Sequence, residues 1–407
     1  MRAKRYPPSV CPGIPKLGRT PAGWTSPAFG EVLNVVERSA VVEDDREYQL
    51  IVAKRNRGGI APRSRLKGRQ IKTKTQFFVR TGDFLIANRQ IIHGACGTVP
   101  PEMNGALVSG EYTVLHAKNG LWLPFFSYFS HTVYFQQTCF HASIGVDIEK
   151  MVFKIDWWLK HRFHLPPLDE QKKIVEILAT WDEEIQQTRK LVDRKNQQKY
   201  GLVQLLLTRK RRLNGFAGDW SEHAVSEFTC VRGDKWDSGV REDNPRCIEL
   251  EHIDPVSGRL LGWVPARQQA CVKNQFRSGD VLFGKLRPYL RKFIKASFDG
   301  VCSSEIWVLI PHSDLIRSDF LFYLVQTDEF LQVATVSSGT KMPRAEWSLV
   351  AKEKFKLPKK EEQRAIATLL CTADEEIAAL QDKLAALEKQ KRGLIDIVLT
   401  GTVRVKG

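Results

Sequence analysis

Residues 165–208 read LPPLDEQKKIVEILATWDEEIQQTRKLVDRKNQQKYGLVQLLLT, and residues 357–400 read LPKKEEQRAIATLLCTADEEIAALQDKLAALEKQKRGLIDIVLT. The two stretches align without a gap at a constant offset of 192 residues, and 17 of the 44 positions are identical. The identities include the opening Leu-Pro, Glu170-Gln171 over Glu362-Gln363, Asp182-Glu183-Glu184-Ile185 over Asp374-Glu375-Glu376-Ile377, and the closing Leu-Thr. Each copy reads as one long helix entered through a proline, whose fixed φ and missing N–H suit a first turn. In the second copy Ile377, Leu380, Leu384, Leu387, Leu394 and Val398 follow alternating steps of three and four, with Lys391 on the same seam. That spacing defines a coiled-coil seam. The first copy carries a more polar version: Ile185, Thr188, Val192, Lys195, Lys199, Leu202 and Leu206. Lys199 and Lys391 fall at equivalent places, which suggests one shared polar layer. Two rods of about 60 Å at 1.5 Å per residue in one chain have an obvious partner in each other, and the expected arrangement is an antiparallel pair.

Outward from the helices the repeat continues more faintly. Gly82-Asp83-Phe84-Leu85 answers Gly279-Asp280-Val281-Leu282, Ser109-Gly110-Glu111-Tyr112 answers Ser303-Ser304-Glu305-Ile306, and Gly23-Trp24 answers Asp219-Trp220. The chain is therefore a tandem repeat of a diverged head followed by a similar rod. Its expected organisation is a flexible basic lead-in (1–20), a first head (21–160), a first long helix (161–212), a second head (213–354), and a second long helix with a tail (355–407). Short β-rich runs separated by Gly-containing turns give each head a mixed α/β character. The aromatic stretch from Leu121 to Phe135 suggests a buried helix.

A chain of 407 residues with 43% hydrophobic residues exceeds a single core, and its formal net charge of +16 points to a polyanionic partner. No run approaches the roughly 20 apolar residues that span a bilayer. The eight cysteines are scattered singly with no Cys-x-x-Cys spacing, as expected of reduced thiols in a cytoplasmic protein.

The basic charge is concentrated in the heads. Lys54, Arg55, Arg57, Arg63, Arg65, Lys67, Arg69, Lys72 and Lys74 lie between Ala53 and Thr75 with no acidic residue among them, and Arg89 follows further on. In the second head Lys285, Arg287, Arg291, Lys292 and Lys295 are interleaved with Tyr289 and Phe293, and a later stretch offers Ser338, Thr340, Lys341 and Arg344. Cations of this density suit phosphate oxygens, and Arg, Lys and small hydroxyls among them suit base edges.

Catalytic motifs are rejected. Gly279-Asp-Val-Leu-Phe-Gly284-Lys285 imitates the opening of a phosphate-binding loop, but Leu286 stands where Ser or Thr must hold magnesium and Pro288 opposes the helix that must follow. His161 and His164 have no further Cys or His cluster to complete a metal site, so a structural role is expected of them. The chain reads as a binder without chemistry or metal of its own.

Two unlike heads, two rods opening Leu-Pro-x-x-x-Glu-Gln and closing Leu-Thr, and the phrases Gly279-Asp-Val-Leu-Phe-Gly-Lys-Leu-Arg-Pro-Tyr-Leu290 and Ser338-Gly-Thr-Lys-Met-Pro-Arg344 together resemble the specificity subunit of type I restriction-modification enzymes. The resemblance implies that each head is a target recognition domain with a small twisted sheet, reading one half of a split target in double-stranded DNA. It also implies that the paired helices set the unread spacer and dock two copies of a modification subunit. Those partners would bind S-adenosylmethionine and methylate adenine, and restriction subunits, the motor and nuclease, would add ATP and magnesium. Where the second head has Gly-Lys-Leu-Arg-Pro the first has Ala87-Asn88-Arg89-Gln90, which implies two unlike half-sites and an asymmetric target. The residues alone also fit a stand-alone DNA-binding or architectural protein, or a coiled-coil scaffold for other proteins.

Overall fold

The structure is a computed structural model that describes residues 6–73, 75–269, 271–336 and 343–405. The two repeated stretches are helices over Leu168–Leu207 and Lys360–Val398, of 40 and 39 residues. Each starts a few residues later than the sequence reading. Leu165 is held as extended backbone in a bridge to Thr25, and Leu357 ends a strand, Lys354–Leu357, paired with Ser221–Ala224. The following prolines disfavour helical backbone at the residue before them, so the helices open only beyond Pro167 and Pro358.

The chain divides into two compact units whose boundary cuts through both long helices: residues 1–187 with 384–407, and residues 188–383. Each unit thus contains one head and half of each helix. In the first unit Ile174 and Leu178 share a core with Ile395, Val398 and Leu399. In the second, Val203, Leu206 and Leu207 share one with Ile366, Ala367 and Leu370. There, Lys195 pairs with Glu376 at 2.7 Å and Lys199 with Asp374 at 2.5 Å. The numbers rise along one helix as they fall along the other, so the pairing is antiparallel.

Along the seam Ile185, Val192, Leu206, Ile377 and Val398 are buried. Leu202, Leu380, Leu384, Leu387 and Leu394 are half-buried, and Val203 takes the fully buried place beside Leu202. The expected shared lysine layer does not form. Lys199 pairs with Asp374 in one unit and Lys391 with Asp182 in the other, because antiparallel helices set equivalent positions opposite different partners.

The heads have one topology written twice. In the first, a four-stranded sheet runs in the order Leu33–Val35, Tyr112–Ala117, Phe84–Ala87, Cys96–Thr98, and a five-stranded sheet in the order Ser39–Ala40, Gln76–Phe78, Leu107–Ser109, Glu47–Ala53, Ile60–Lys67. In the second, the orders are Thr229–Val231, Ile306–Pro311, Val281–Gly284, Phe293–Lys295, and Lys235–Trp236, Lys273–Phe276, Gly300–Cys302, Arg246–Ile248, Val264–Pro265. The single parallel pairing falls at the same place in both five-stranded sheets. The Gly-Asp repeat is explained as well. Gly82 and Gly279 take left-handed φ values of 84° and 92°, and the buried carboxylates beside them are held by Arg38 on Asp83 and Arg232 on Asp280.

The aromatic stretch of the first head forms two helices, Leu123–Phe129 and Val133–His141, because Thr132 between them accepts a hydrogen bond from the Phe135 N–H and caps the second. Phe29 stacks on Trp158 and Phe163 at 4.1 and 4.8 Å in the centre of that core. Residues 6–20, expected from the sequence to be a flexible lead-in, contribute a buried Val10, a 2.8 Å contact from Ser9 to His93, and an edge contact of Tyr6 with Phe140.

The repeated Glu-Gln pair at the first turn of each long helix fastens the head to it. Gln171 accepts from the Trp122 N–H and donates to the Gly120 and Pro166 carbonyls, all at 2.8 to 2.9 Å. Gln363 does the same with the Arg317 N–H and the Leu315 and Pro358 carbonyls. Glu170 accepts from the Trp24 indole at 2.9 Å and from Arg404 at 2.7 Å. Glu362 accepts from the Trp220 indole at 3.2 Å and from Arg212 at 2.5 Å. Arg212 and Arg404 are themselves 192 residues apart.

Two outcomes are expected. Glu362→Ala removes the shared acceptor of the Arg212 guanidinium and the buried Trp220 indole and should lower the melting temperature, whereas Glu362→Gln should lose less; thermal denaturation of both variants measures this. Burial pushes the Glu170 carboxyl up, but the hydrogen bonds from Arg404 and Trp24 outweigh it and hold its pKa below the usual 4.5. A carboxyl whose pKa is depressed on folding stabilises fully above its unfolded value and loses that contribution as pH falls through the folded one. Acid titration of stability should therefore show a loss below pH 4.5 that Glu170→Gln reduces.

Candidate nucleic-acid interface

In the second head the strand Val281–Gly284 delivers the chain into a loop at Lys285. The strand packs closely at Gly284, where a Cβ would meet Leu250 at 3.0 Å and the Lys292 carbonyl at 3.2 Å and would push its neighbours back by a few tenths of an ångström. The loop turns through a single 3₁₀ turn, Pro288–Leu290, flanked by Arg287 and Arg291, both at φ 52°. Left-handed backbone at a residue with a Cβ costs about 1 to 2 kcal/mol, so the surroundings must hold it. The Lys285 N–H donates to the Glu305 carbonyl at 3.0 Å, the Arg287 N–H to the Pro343 carbonyl at 2.8 Å, and the Ala345 N–H to the Lys285 carbonyl at 2.8 Å. Leu286 and Arg344 form an antiparallel bridge. Two phrases far apart in the sequence, Lys285-Leu-Arg-Pro-Tyr and Pro343-Arg344, thus become one composite surface.

The side chains on that surface divide into two groups. Lys285 and Arg287 are half-buried and have no side-chain partner among the described residues, and Tyr289 beside them is 54% exposed. Arg344 is exposed and held by both oxygens of Glu305 at 3.0 and 3.3 Å. Arg291 is turned inward: it pairs with Asp328 and lies 5.2 Å over the Tyr200 ring, whose hydroxyl donates to the same carboxylate at 2.5 Å. Burial pushes the Asp328 carboxyl up, yet Tyr200 and Arg291 bring its pKa below the usual value. Lys292 donates to the Leu250 carbonyl at 2.5 Å. Arg291 and Lys292, grouped with the other loop cations by charge, therefore fix the loop in place. Ser338, Thr340 and Lys341 lie outside the described residues.

The first head builds the equivalent loop from different side chains. After Phe84–Ala87 comes Asn88-Arg89-Gln90, then a 3₁₀ turn at Ile91–His93 closed by Gly94 at φ 76°, the counterpart of Arg291. Arg89 pairs with Glu111 at 2.7 Å, both more than half exposed. Glu111 and Glu305 are the glutamates of the repeated Ser-x-Glu phrase, so each head sets one exposed arginine against the same acidic position. Three further cations of the predicted set lie on the edge strand Ile60–Lys67. Arg63 and Arg65 are exposed there and Lys67 is half-buried. Pro62 is tolerated because this strand is a sheet edge, and a register shift opposite Leu50 and Ile51 leaves Arg63 unpaired in the ladder. Arg69 is exposed and 3.4 Å from Asp45, Lys72 is exposed, and Lys74 lies outside the described residues. Glu111, Glu305, Asp328 and Tyr200 are absent from the sequence-based set of site residues; the offset of the Ser-x-Glu repeat is the signal for the first two.

The family described as type I restriction modification DNA specificity domain matches residues 21–192 and 262–389. The chain belongs to that family. Among curated relatives, the type I restriction enzyme MjaVIII specificity subunit of Methanocaldococcus jannaschii is 26% identical over 267 residues, covering 60% of this chain and 62% of that protein. The type I restriction enzyme EcoDI specificity subunit of Escherichia coli is 32% identical over 107 residues, 25% of this chain and 23% of that protein. The chain therefore matches less than two thirds of the length of these relatives. Solved structures share the fold over almost the whole chain. A chain from work on complex assembly and conformational transition of the type I R-M system superposes with a TM-score of 0.63 at 18% identity, covering 95% of this chain and all of that one. The HsdS subunit from Thermoanaerobacter tengcongensis superposes with a TM-score of 0.51 at 19% identity, covering 95% and 99%.

The division of side chains gives an expected outcome. Lys285→Ala and Arg287→Ala should weaken binding to duplex DNA and shallow its salt dependence by roughly 0.9 in the log–log slope for each phosphate no longer neutralised, with folding stability nearly unchanged. Arg291→Ala should lower stability instead. Salt-titrated binding together with thermal melts separates the two classes.

Proposed function

We propose that this chain is the sequence-reading subunit of a type I restriction-modification complex, in which each head reads one half of a split, asymmetric target in double-stranded DNA. The observation that supports this reading best is the pairing of sameness and difference between the heads. Both present a loop at the end of the same strand of the same sheet, closed by the same 3₁₀ turn and bordered by the same glutamate. Yet one loop carries Asn88-Arg89-Gln90 and the other Lys285-Leu286-Arg287. A common frame with different donors and acceptors on its rim is what reading two different half-sites requires, since base edges are told apart by their hydrogen-bond pattern. The surplus of cations supplies the sequence-blind part of the affinity.

The long helices in this reading set the spacer between the half-sites and dock two copies of a modification subunit. S-adenosylmethionine and the methylation of adenine belong to those partners. Restriction subunits, with ATP and magnesium, complete the cleaving complex, and this chain contributes recognition without catalysis. Among the described residues no helix is long and apolar enough to cross a membrane. The assembly would work where the DNA is, in the cytoplasm.

The test is to express the chain together with a modification subunit and map methylated adenines in the host DNA. A methylated motif of two unlike blocks around an unread gap, absent when this chain is omitted, is the expected result. A competent modification subunit that forms the complex while no motif depends on this chain contradicts the proposal.

A further inference from the structure

In each unit one polar node joins three elements. In the first, Tyr128 on the helix Leu123–Phe129 donates its hydroxyl to Asp182 of one long helix at 2.7 Å. Lys391 of the other long helix pairs with the same aspartate, and its ammonium lies 5.2 Å over the Tyr128 ring. In the second unit Tyr323, on the helix Ser318–Leu324, donates to Asp374 at 2.8 Å. Lys199 pairs with that aspartate at 2.5 Å and lies 5.7 Å over the Tyr323 ring. The two aspartates and the two lysines are each 192 residues apart. Burial first, and the neighbouring carboxylate with it, pushes both phenols well above their usual pKa, so each remains a donor.

The position of the node matters more than its strength. The head is already fastened at the first turn of the helix by Gln171 or Gln363, and an apolar core with Ile174 and Leu178, or with Ile366 and Leu370, holds it against the helix pair. Apolar packing is non-directional, so the angle of the head depends on directional attachments beyond the first turn. In the second unit Asp328 also accepts from Tyr200 of a long helix, and Arg259 reaches Asp382 at 3.5 Å. Asp182 and Asp374 each lie eleven residues beyond that glutamine, roughly 16 Å along the helix at 1.5 Å per residue. A directional attachment at that distance, formed alike in both units, restrains the angle of the head. Because the lysine comes from the other long helix, that angle is referred to the pair of helices together. A partly buried ionic layer of this kind contributes little stability beyond an apolar replacement, and its best-attested use is to fix register.

We propose that the tyrosine–aspartate–lysine node of each unit makes the protein strict about the spacer length that the helices set, by restraining the angle of each head on the helix pair, and leaves base identity within the half-sites to the loops. This rests on the reading of the chain as a reader of split targets. One base pair moves a half-site by about 3.4 Å along the duplex and turns it by roughly 35°, so a head fixed in angle cannot follow it and a head free to pivot can.

The experiment uses the full chain and duplexes that carry its two half-sites with the native spacer or with one base pair added or removed. The variants are Tyr128→Phe/Asp182→Leu/Lys391→Met and the matching Tyr323→Phe/Asp374→Leu/Lys199→Met. The unaltered chain should bind the wrong spacers about tenfold or more weakly, comparable to the effect of removing one good base pairing from a half-site. The first-unit triple variant should narrow that gap to about threefold or less, and the second-unit variant should narrow it by less because the Tyr200–Asp328 tie remains, while melting temperature and base preference within each half-site hold. Tyr128→Phe alone, which removes one hydroxyl and keeps the ring, should narrow the gap in part and serves if a triple variant does not fold. Variants that fold and bind yet discriminate spacers as sharply as the unaltered chain overturn the proposal. An unaltered chain that prefers no split target overturns the functional reading beneath it, a separate result.

Discussion

A glutamate and a glutamine at the first turn of each long helix are the contact on which the rest of the architecture depends. The glutamine side chain accepts from a backbone N–H of the head and donates to one of its backbone carbonyls. The glutamate collects an indole N–H from the start of the head and a guanidinium from beyond the far end of the other long helix. Head, helix start and helix end are thereby tied together at one point. Because the sequence that makes the tie is repeated at a fixed offset, the same tie forms in both units. The heads can then diverge on their rims without changing how they are mounted.

That constraint explains the distribution of similarity along the chain. The helices keep 17 identities in 44 positions because their side chains serve the head, the partner helix and each other at once. In the heads the persistent residues are those with a backbone or ion-pair duty: Gly82 and Gly279 at left-handed turns, the buried Asp83 and Asp280 on their arginines, Glu111 and Glu305 opposite an exposed arginine. The loops between them carry different cations on the same frame. The residues that mount the heads and those on the loop rims are thus separate sets, and the second can change without altering the first.

The helices, their antiparallel pairing and the duplication are legible in the sequence because each rests on a period or an offset that survives divergence. The sheets are not, since strands such as Ser39–Ala40 and Lys235–Trp236 are two residues long and the parallel pairing of the first head joins Leu50 to Leu107 across more than fifty residues. Charge picks out a loop of the second head, but charge alone does not tell an arginine that faces solvent from one that holds the loop. By charge Arg291 belongs to the interface with Arg287, and only the positions of Asp328 and Tyr200 separate them. The shared lysine layer does not form for a related reason: equivalence in a repeat is not opposition in an antiparallel pair, so Lys199 and Lys391 each find an aspartate.

The central claim is that one duplicated frame carries two heads that read different sequences. Selection of bound duplexes from a fully randomised pool by the full chain, followed by sequencing of the survivors, tests it most directly. Two blocks of unlike sequence separated by a gap of constant length and no preference is the predicted result. Two identical blocks, a single continuous block, or survivors no different from the starting pool would contradict it.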